Sequence, residues 1–162
     1  MKNYIGVDNG VSGSIGIILF NSNEYTYVAT PVKRVLGYTK TKQWLNRVDL
    51  PKLLKELDVP NKEQTLAVIE RPMVNPGRFK ATASALRALE TTLIALEQLG
   101  IAYQYIDSKE WQKVMLPSGL KGEELKEASW QVGKRLFPNI DWDKFDDADG
   151  ILIAEYVRRK GM

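Results

Sequence analysis

YIGVDNGVSGSIGIILF, residues 4–20, is the stretch on which the fold turns. Tyr4–Asp8 is an apolar run that ends in an acid, and Asn9-Gly10 is a turn signal. Gly13–Phe20 carries Ile15, Ile17, Ile18 and Leu19, which predicts a second, buried strand. Asn21–Asn23 reads as a turn, and Glu24–Thr30 alternates Tyr25, Tyr27 and Ala29 as a third antiparallel strand. A three-strand meander therefore opens the chain.

Beyond the meander, residues 31–47 read as a polar, basic connection. Asp49 has the chemistry of a helix N-cap, with Pro51 in the first turn of a short helix to Leu57. Gln64–Ile69 is a continuous apolar strand that ends at Glu70, and Pro72 and Pro76-Gly77 break the segment beyond it. Leu86, Leu89, Leu93, Leu96 and Leu99 recur at three- and four-residue steps, which predicts a helix over 81–99, closed by Gly100. Ile101–Ile106 is a further strand, and Ser108 can cap a short helix through Val114. A loop with Pro117, Gly119 and Gly122 leads to a helix from Glu123 to Phe137, stopped by Pro138, and residues 145–159 form a last helix. Strands first, then alternating helices and strands, place the chain in the α/β class, with a mixed sheet flanked by helices. Its 162 residues fit one domain spanning 1–162, without repeat or linker.

Composition narrows the chemistry. There is no cysteine and no histidine. That excludes disulfides, thiolate zinc sites, iron–sulfur clusters and a Ser–His–Asp triad. Any catalysis rests on carboxylates, Lys, Ser/Thr, Tyr or backbone, and any metal has oxygen ligands, the preference of Mg²⁺, Mn²⁺ or Ca²⁺. No apolar run has the length of a membrane helix and no secretory signal is evident, so the chain reads as soluble and intracellular. Net charge is only +3, yet residues 31–62 hold eight Lys/Arg against three acids, a net +5 interleaved with Tyr38 and Trp44. A run of charge is usually a solvated face; aromatics among the charges favour a polyanionic partner.

Three acidic positions stand out. Asp8 and Glu70 each end a strand that reads as central and buried, where a lone carboxylate is costly. Asp146-Asp147-Ala148-Asp149 opens the last helix, and residues 146 and 149 would share one helix face. Gly150 in that helix costs about 1 kcal/mol relative to Ala, which a close helix–sheet approach would explain. Each acid alone also has a purely structural reading: Asp8 as the start of a turn, Glu70 as a partner for Arg71, the Asp run as a helix cap. Gathered at one sheet edge, however, they would repel one another without divalent cations.

IGVDNGVSGSIGII (5–18), AVIERPMVNPGRFKATASAL (67–86), GIAYQYIDSKEWQKVML (100–116) and DDADGILIAEYVRR (146–159) together resemble the RuvC-like Holliday-junction resolvases of the RNase H-like superfamily, most of all their small phage-type members. The resemblance touches most of the chain. It implies an RNase H-like fold with a five-stranded mixed sheet flanked by helices. It also implies metal-dependent, paired nicking of four-way DNA junctions, as in DNA recombination and repair. By position, the catalytic and metal-binding acids are Asp8, Glu70, Asp146 and Asp149, with Asp147 open as the alternative to Asp146. The implied cofactor is Mg²⁺, two ions per site, with Mn²⁺ able to substitute. Lys126 matches a basic position before the last acids and is a candidate to neutralise the phosphate; Lys109 and Lys113 are further basic candidates.

Asn75–Ser84 reads as the DNA loop, with Arg78 and Lys80 for phosphate and Phe79 for stacking on an unpaired base. Helix 81–99 resembles the family's dimer helix, which implies a homodimer matched to a near two-fold junction. Two rival readings remain. One is an actin-like ATPase-type nucleotide-binding domain, on the pattern Asp8-Asn9-Gly10 with Ser12-Gly13-Ser14. The other is a non-catalytic branched-DNA-binding module.

Overall fold

The computed structural model describes residues 2–20 and 24–162. The turn predicted at Asn21–Asn23 lies outside the described residues. β1 (Asn3–Asp8), β2 (Ser14–Ile18) and β3 (Tyr25–Ala29) form the expected antiparallel meander. β6 (Thr65–Glu70) lies parallel to β1, and β7 (Ala102–Ile106) lies parallel to β6. The result is a five-stranded mixed sheet ordered β3-β2-β1-β6-β7, with β1 at its centre.

Helices cover both faces. On one side lie α1 (Leu50–Glu56) and α2 (Phe79–Leu99), over Ile5, Val7, Ile15, Ile17, Ala67 and Ile69. On the other lie α3 (Ser108–Met115), α4 (Glu123–Leu136) and α5 (Asp149–Lys160), over Tyr4, Ile18, Tyr27, Val68 and Ile106. Strand alternation therefore decides where the acids point: Asp8 shares the face of Tyr4 and Gly6, and Glu70 shares that of Val68. Both acids belong to the face covered by α3 and α5.

α5 is the central helix of that layer. Every residue from Gly150 to Val157 is buried. Its backbone rests directly on the sheet: a Cβ at Gly6 would collide with the Gly150 carbonyl, and one at Gly16 with the Ile151 backbone. This is the close approach that Gly150 required. The stripe expected from Leu152, Ile153 and Tyr156 is part of a helix buried all round.

Several boundaries differ from expectation. Residues 31–47 are not a plain connection: β4 (Val32–Leu36) and β5 (Trp44–Val48) form a separate two-stranded antiparallel hairpin. Only Val48 in it is buried, so its strands carry charge on both faces and give no half-buried alternation. α2 starts at Phe79, so Phe79 and Lys80 open a helix rather than lie in a loop. Asp107, not Ser108, caps α3, through a reciprocal capping box with Glu110. α5 starts at Asp149, with Ala148 as its N-cap residue, so Asp146 and Asp147 precede the helix and the shared helix face for residues 146 and 149 does not exist. Asp49 caps α1 as expected, accepting the Lys52 N–H.

Candidate metal centre

The edge of the sheet where β1 and β6 end is assembled by contacts between elements distant in sequence. Asp8 lies opposite Ser14 across the β1–β2 ladder. The Ser14 hydroxyl oxygen accepts the Gly150 N–H at 3.0 Å, which fixes the start of α5 beside the end of β1. Ser129 of α4 then clamps the same helix start. Its hydroxyl donates to the Asp149 carboxylate and accepts the Ala148 N–H at 3.0 Å. Asp147 accepts the Tyr27 hydroxyl at 3.0 Å and the Asp149 N–H at 3.2 Å.

These contacts bring Asp8, Asp147 and Asp149 together. One carboxylate oxygen from each lies within 4.8 Å of the others. Asp146 is not brought in. Its side chain is 85% exposed and faces Lys126, with Nζ 3.5 Å from Oδ2. Of the two neighbours left open by the sequence, Asp147 is therefore the one inside the cluster. Its position is set by tertiary contacts of Tyr27 and the helix start, which no local spacing encodes.

The electrostatics match the geometry. Burial, then the charges of Asp149, Glu70 and Asp147, hold the Asp8 carboxyl well above the usual carboxylate range. Burial and then Asp147 push Asp149 up to about 7, although the Ser129 hydrogen bond and the Lys126 charge pull the other way. Glu70 is raised mainly by burial. The four carboxylates thus crowd one another in a poorly solvated corner, and oxygen-only, anionic and mutually repelling donors suit a hard divalent cation. By this chemistry the residues fit Mg²⁺ or Mn²⁺.

Glu70 stands beside the trio rather than within it. The indole N–H of Trp111, a fully buried residue of α3, donates to Glu70 Oε2 at 2.7 Å. Arg71 does not pair with Glu70; it bonds Asp107 at 2.9 Å instead. Glu70 borders an open cleft of about 690 Å³ that Asn9, Arg78 and Lys109 also line. Lys113, one turn further along α3, is exposed and does not line it. Phe79 and Lys80 face a different groove, beside the hairpin. The segment read as one DNA loop is split between two surfaces.

Trp111, Ser129, Tyr27 and Asn9 support the site, although the sequence pattern did not mark them for it. Asn9 donates from Nδ2 to the Ala85 carbonyl of α2 at 3.1 Å, while its buried Oδ1 finds no partner among the described residues. It joins the end of β1 to the helix that carries Arg78 and Phe79 at its entrance. The sequence signal for Ser129 is a small hydroxyl on an otherwise apolar helix face; for Trp111 none is evident, since a buried Trp is ordinary core.

Comparison with known proteins places the architecture. No protein-family model matches the chain, and no curated protein matches it. Among solved structures, it is similar to Thermus thermophilus RuvC in complex with a Holliday junction substrate. That likeness has a TM-score of 0.64 at 11% identity, over 99% of this chain and 97% of that one. A second T. thermophilus RuvC structure aligns with a TM-score of 0.61, again at 11% identity, over 98% and 96%. With its five-stranded mixed sheet and flanking helices, the chain has the RNase H-like fold of RuvC.

Proposed function

We propose that this protein is a metal-dependent endonuclease that cuts branched DNA, with the four-way junction as its substrate. The observation that carries this reading is the convergence of Asp8, Asp147 and Asp149, with Glu70 alongside, at the edge of a RuvC-type sheet. The solved RuvC neighbour bound to a Holliday junction supports the choice of substrate.

In this reading Asp8, Asp147, Asp149 and Glu70 hold Mg²⁺ ions, two per site, with Mn²⁺ able to substitute; Asp147 takes the place assigned by position to Asp146. Ions bound there would supply an activated water and offset charge on the leaving oxygen. The protein's own groups do the rest. Ser129 and Tyr27 orient the Asp149 and Asp147 carboxylates, and Trp111 holds Glu70, so the donors are set before substrate arrives. Lys126, half exposed beside Asp146, meets the scissile phosphate and offsets its charge. Arg78 and Lys109 line the approach and fix the flanking backbone, and Lys113 extends the basic face of α3. Hydrolysis breaks the P–O3′ bond, the water oxygen joins phosphorus, and 5′-phosphate and 3′-hydroxyl ends result.

A homodimer through α2 completes the proposal. Leu86 and Ile94 are exposed on that helix, and pairing two copies there would present two sites to the two symmetry-related strands of a junction. Such a substrate places the protein on intracellular DNA. Among the described residues no helix is long and apolar enough to cross a membrane.

The test is cleavage of a labelled four-way junction beside a linear duplex, with and without Mg²⁺. Paired nicks in the junction alone, only with metal, are expected. Equal cutting of the duplex would remove the structure selectivity. Clean junction binding without cutting in Mg²⁺ or Mn²⁺ would replace the nuclease with a binding module.

A further inference from the structure

Beside the acid edge, the β4–β5 hairpin and the first turns of α2 enclose a second groove of about 600 Å³. Tyr38, Trp44 and Phe79 line it, and they are 85%, 59% and 70% exposed. Lys80 and Arg87 line it as well, and the Arg34 guanidinium lies over the Trp44 ring at 5.9 Å. Lys33, Arg47, Lys40 and Lys42 add positive charge to the hairpin and its turn. Among the described residues that line the groove, none is acidic. Val11 and Ser84 are shared between this groove and a shallow channel that reaches Asp8.

We propose that this groove binds an unpaired segment of DNA, whose bases stack on Tyr38 and Trp44 of the hairpin, opposite the stacking position already expected of Phe79, while its backbone follows the surrounding Lys and Arg. The proposal rests on the nuclease reading above for its place in function, and adds the hairpin as an element that selects substrates with single-stranded character near the cut. Charge complementarity decides for a polyanion. The aromatic faces decide for unpaired bases, because a duplex keeps its base faces stacked inside and offers only edges and phosphates. A second copy of the chain is disfavoured as the occupant, since a two-fold contact through this groove would set the same cations against themselves.

Binding of fluorescein-labelled oligothymidine and of a linear duplex, measured by anisotropy in EDTA so that nothing is cut, tests this. The Tyr38→Ala/Trp44→Ala variant should bind oligothymidine roughly tenfold or more weaker and the duplex nearly as well as the parent. Both side chains are largely exposed, so the fold should persist; an unchanged melting curve checks it. A Trp44→Phe variant keeps a stacking surface and should recover most of the affinity. Unchanged oligothymidine binding in the double variant would overturn the proposal, as would no binding by the parent. An equal loss on the duplex would make the surface a plain phosphate patch and also overturn it. A parent dimer that becomes monomeric in the double variant on sedimentation would hand the groove to a second copy. The binding assay involves no catalysis, so oligothymidine binding without junction cleavage would defeat the nuclease reading alone, and cleavage without oligothymidine binding would defeat the groove alone.

Discussion

The acid edge and the hairpin groove meet at Val11 and Ser84, yet they are built in opposite ways. At the acid edge, hydroxyl, indole and backbone donors already hold three of the four carboxylates: Ser129 to Asp149, Tyr27 and the Asp149 N–H to Asp147, and Trp111 to Glu70. α5 lies against glycine-bearing strands, so the geometry has little room to vary. The groove is walled by exposed aromatics and long cationic side chains, few of which are pinned. The difference separates two tasks. Chemistry needs donors held in advance at small cost in reorganisation, whereas recognition of irregular DNA tolerates side chains that settle on the ligand.

That contrast can be broken most sharply at the acids. Asp8→Asn or Glu70→Gln should lower junction cleavage by roughly a thousandfold or more while leaving junction binding in place, measured by single-turnover cleavage and gel shift. Near-normal cutting by both would dissolve the proposed centre. One layer out, Ser129→Ala removes a clamp and no ligand; roughly 10–100-fold weaker activity or metal affinity is expected, with added Mn²⁺ recovering part of it. A loss below about threefold would mean that the carboxylates hold themselves in place.

Stability offers a subtler probe of the same edge. Helix propensity alone makes Gly150→Ala favourable by about 1 kcal/mol. A Cβ there would meet the Ser14 carbonyl at 2.8 Å, so the variant should instead be destabilised by roughly 1–3 kcal/mol in urea melts. A stabilised variant would show that α5 can lift off the sheet freely.

The smallest effect is electrostatic. Because the folded Asp149 carboxyl is raised from its ordinary 3.8 to about 7, its protonation favours the folded state in acid, and that contribution fades as pH rises through about 7. In EDTA, Asp149→Asn should therefore melt higher than the parent at pH 8, by about 2–4 °C for each kcal/mol of repulsion removed, and lose that advantage near pH 4. A lower melting point at pH 8 would show that the Ser129 hydrogen bond outweighs the crowding.

How far the sequence foretold each region has the same physical cause. Asp8 and Glu70 were legible because a carboxylate at the end of an apolar strand interrupts a strong pattern, and Gly150 because glycine inside a helix needs a reason. The strands of the main sheet were legible for different reasons: β1, β2 and β6 are apolar runs buried almost throughout, β3 alternates Tyr25 and Tyr27, and β7 lies between the buried Ile101 and Ile106. The hairpin was not, because VKRVL and WLNRV bury almost nothing and their residues resemble a basic loop. Asp147 was not separable from Asp146 because the choice depends on where α5 begins, and that is set by Ser14 and Ser129, both distant in sequence. Phe79 looked like a loop residue because Pro76-Gly77 precedes it, whereas the chain completes a single 3₁₀ turn there and enters α2 at once.

The measurement that bears most directly on the central claim is Mg²⁺-dependent cleavage of a four-way junction by Asp147→Asn and Asp146→Asn, side by side with the parent. The two neighbours differ in one respect: Asp147 lies in the carboxylate cluster, and Asp146 faces solvent and Lys126. Asp147→Asn should lose cleavage by roughly a hundredfold or more, while Asp146→Asn should stay within about tenfold of the parent. An inactive Asp146→Asn beside an active Asp147→Asn would contradict the central claim.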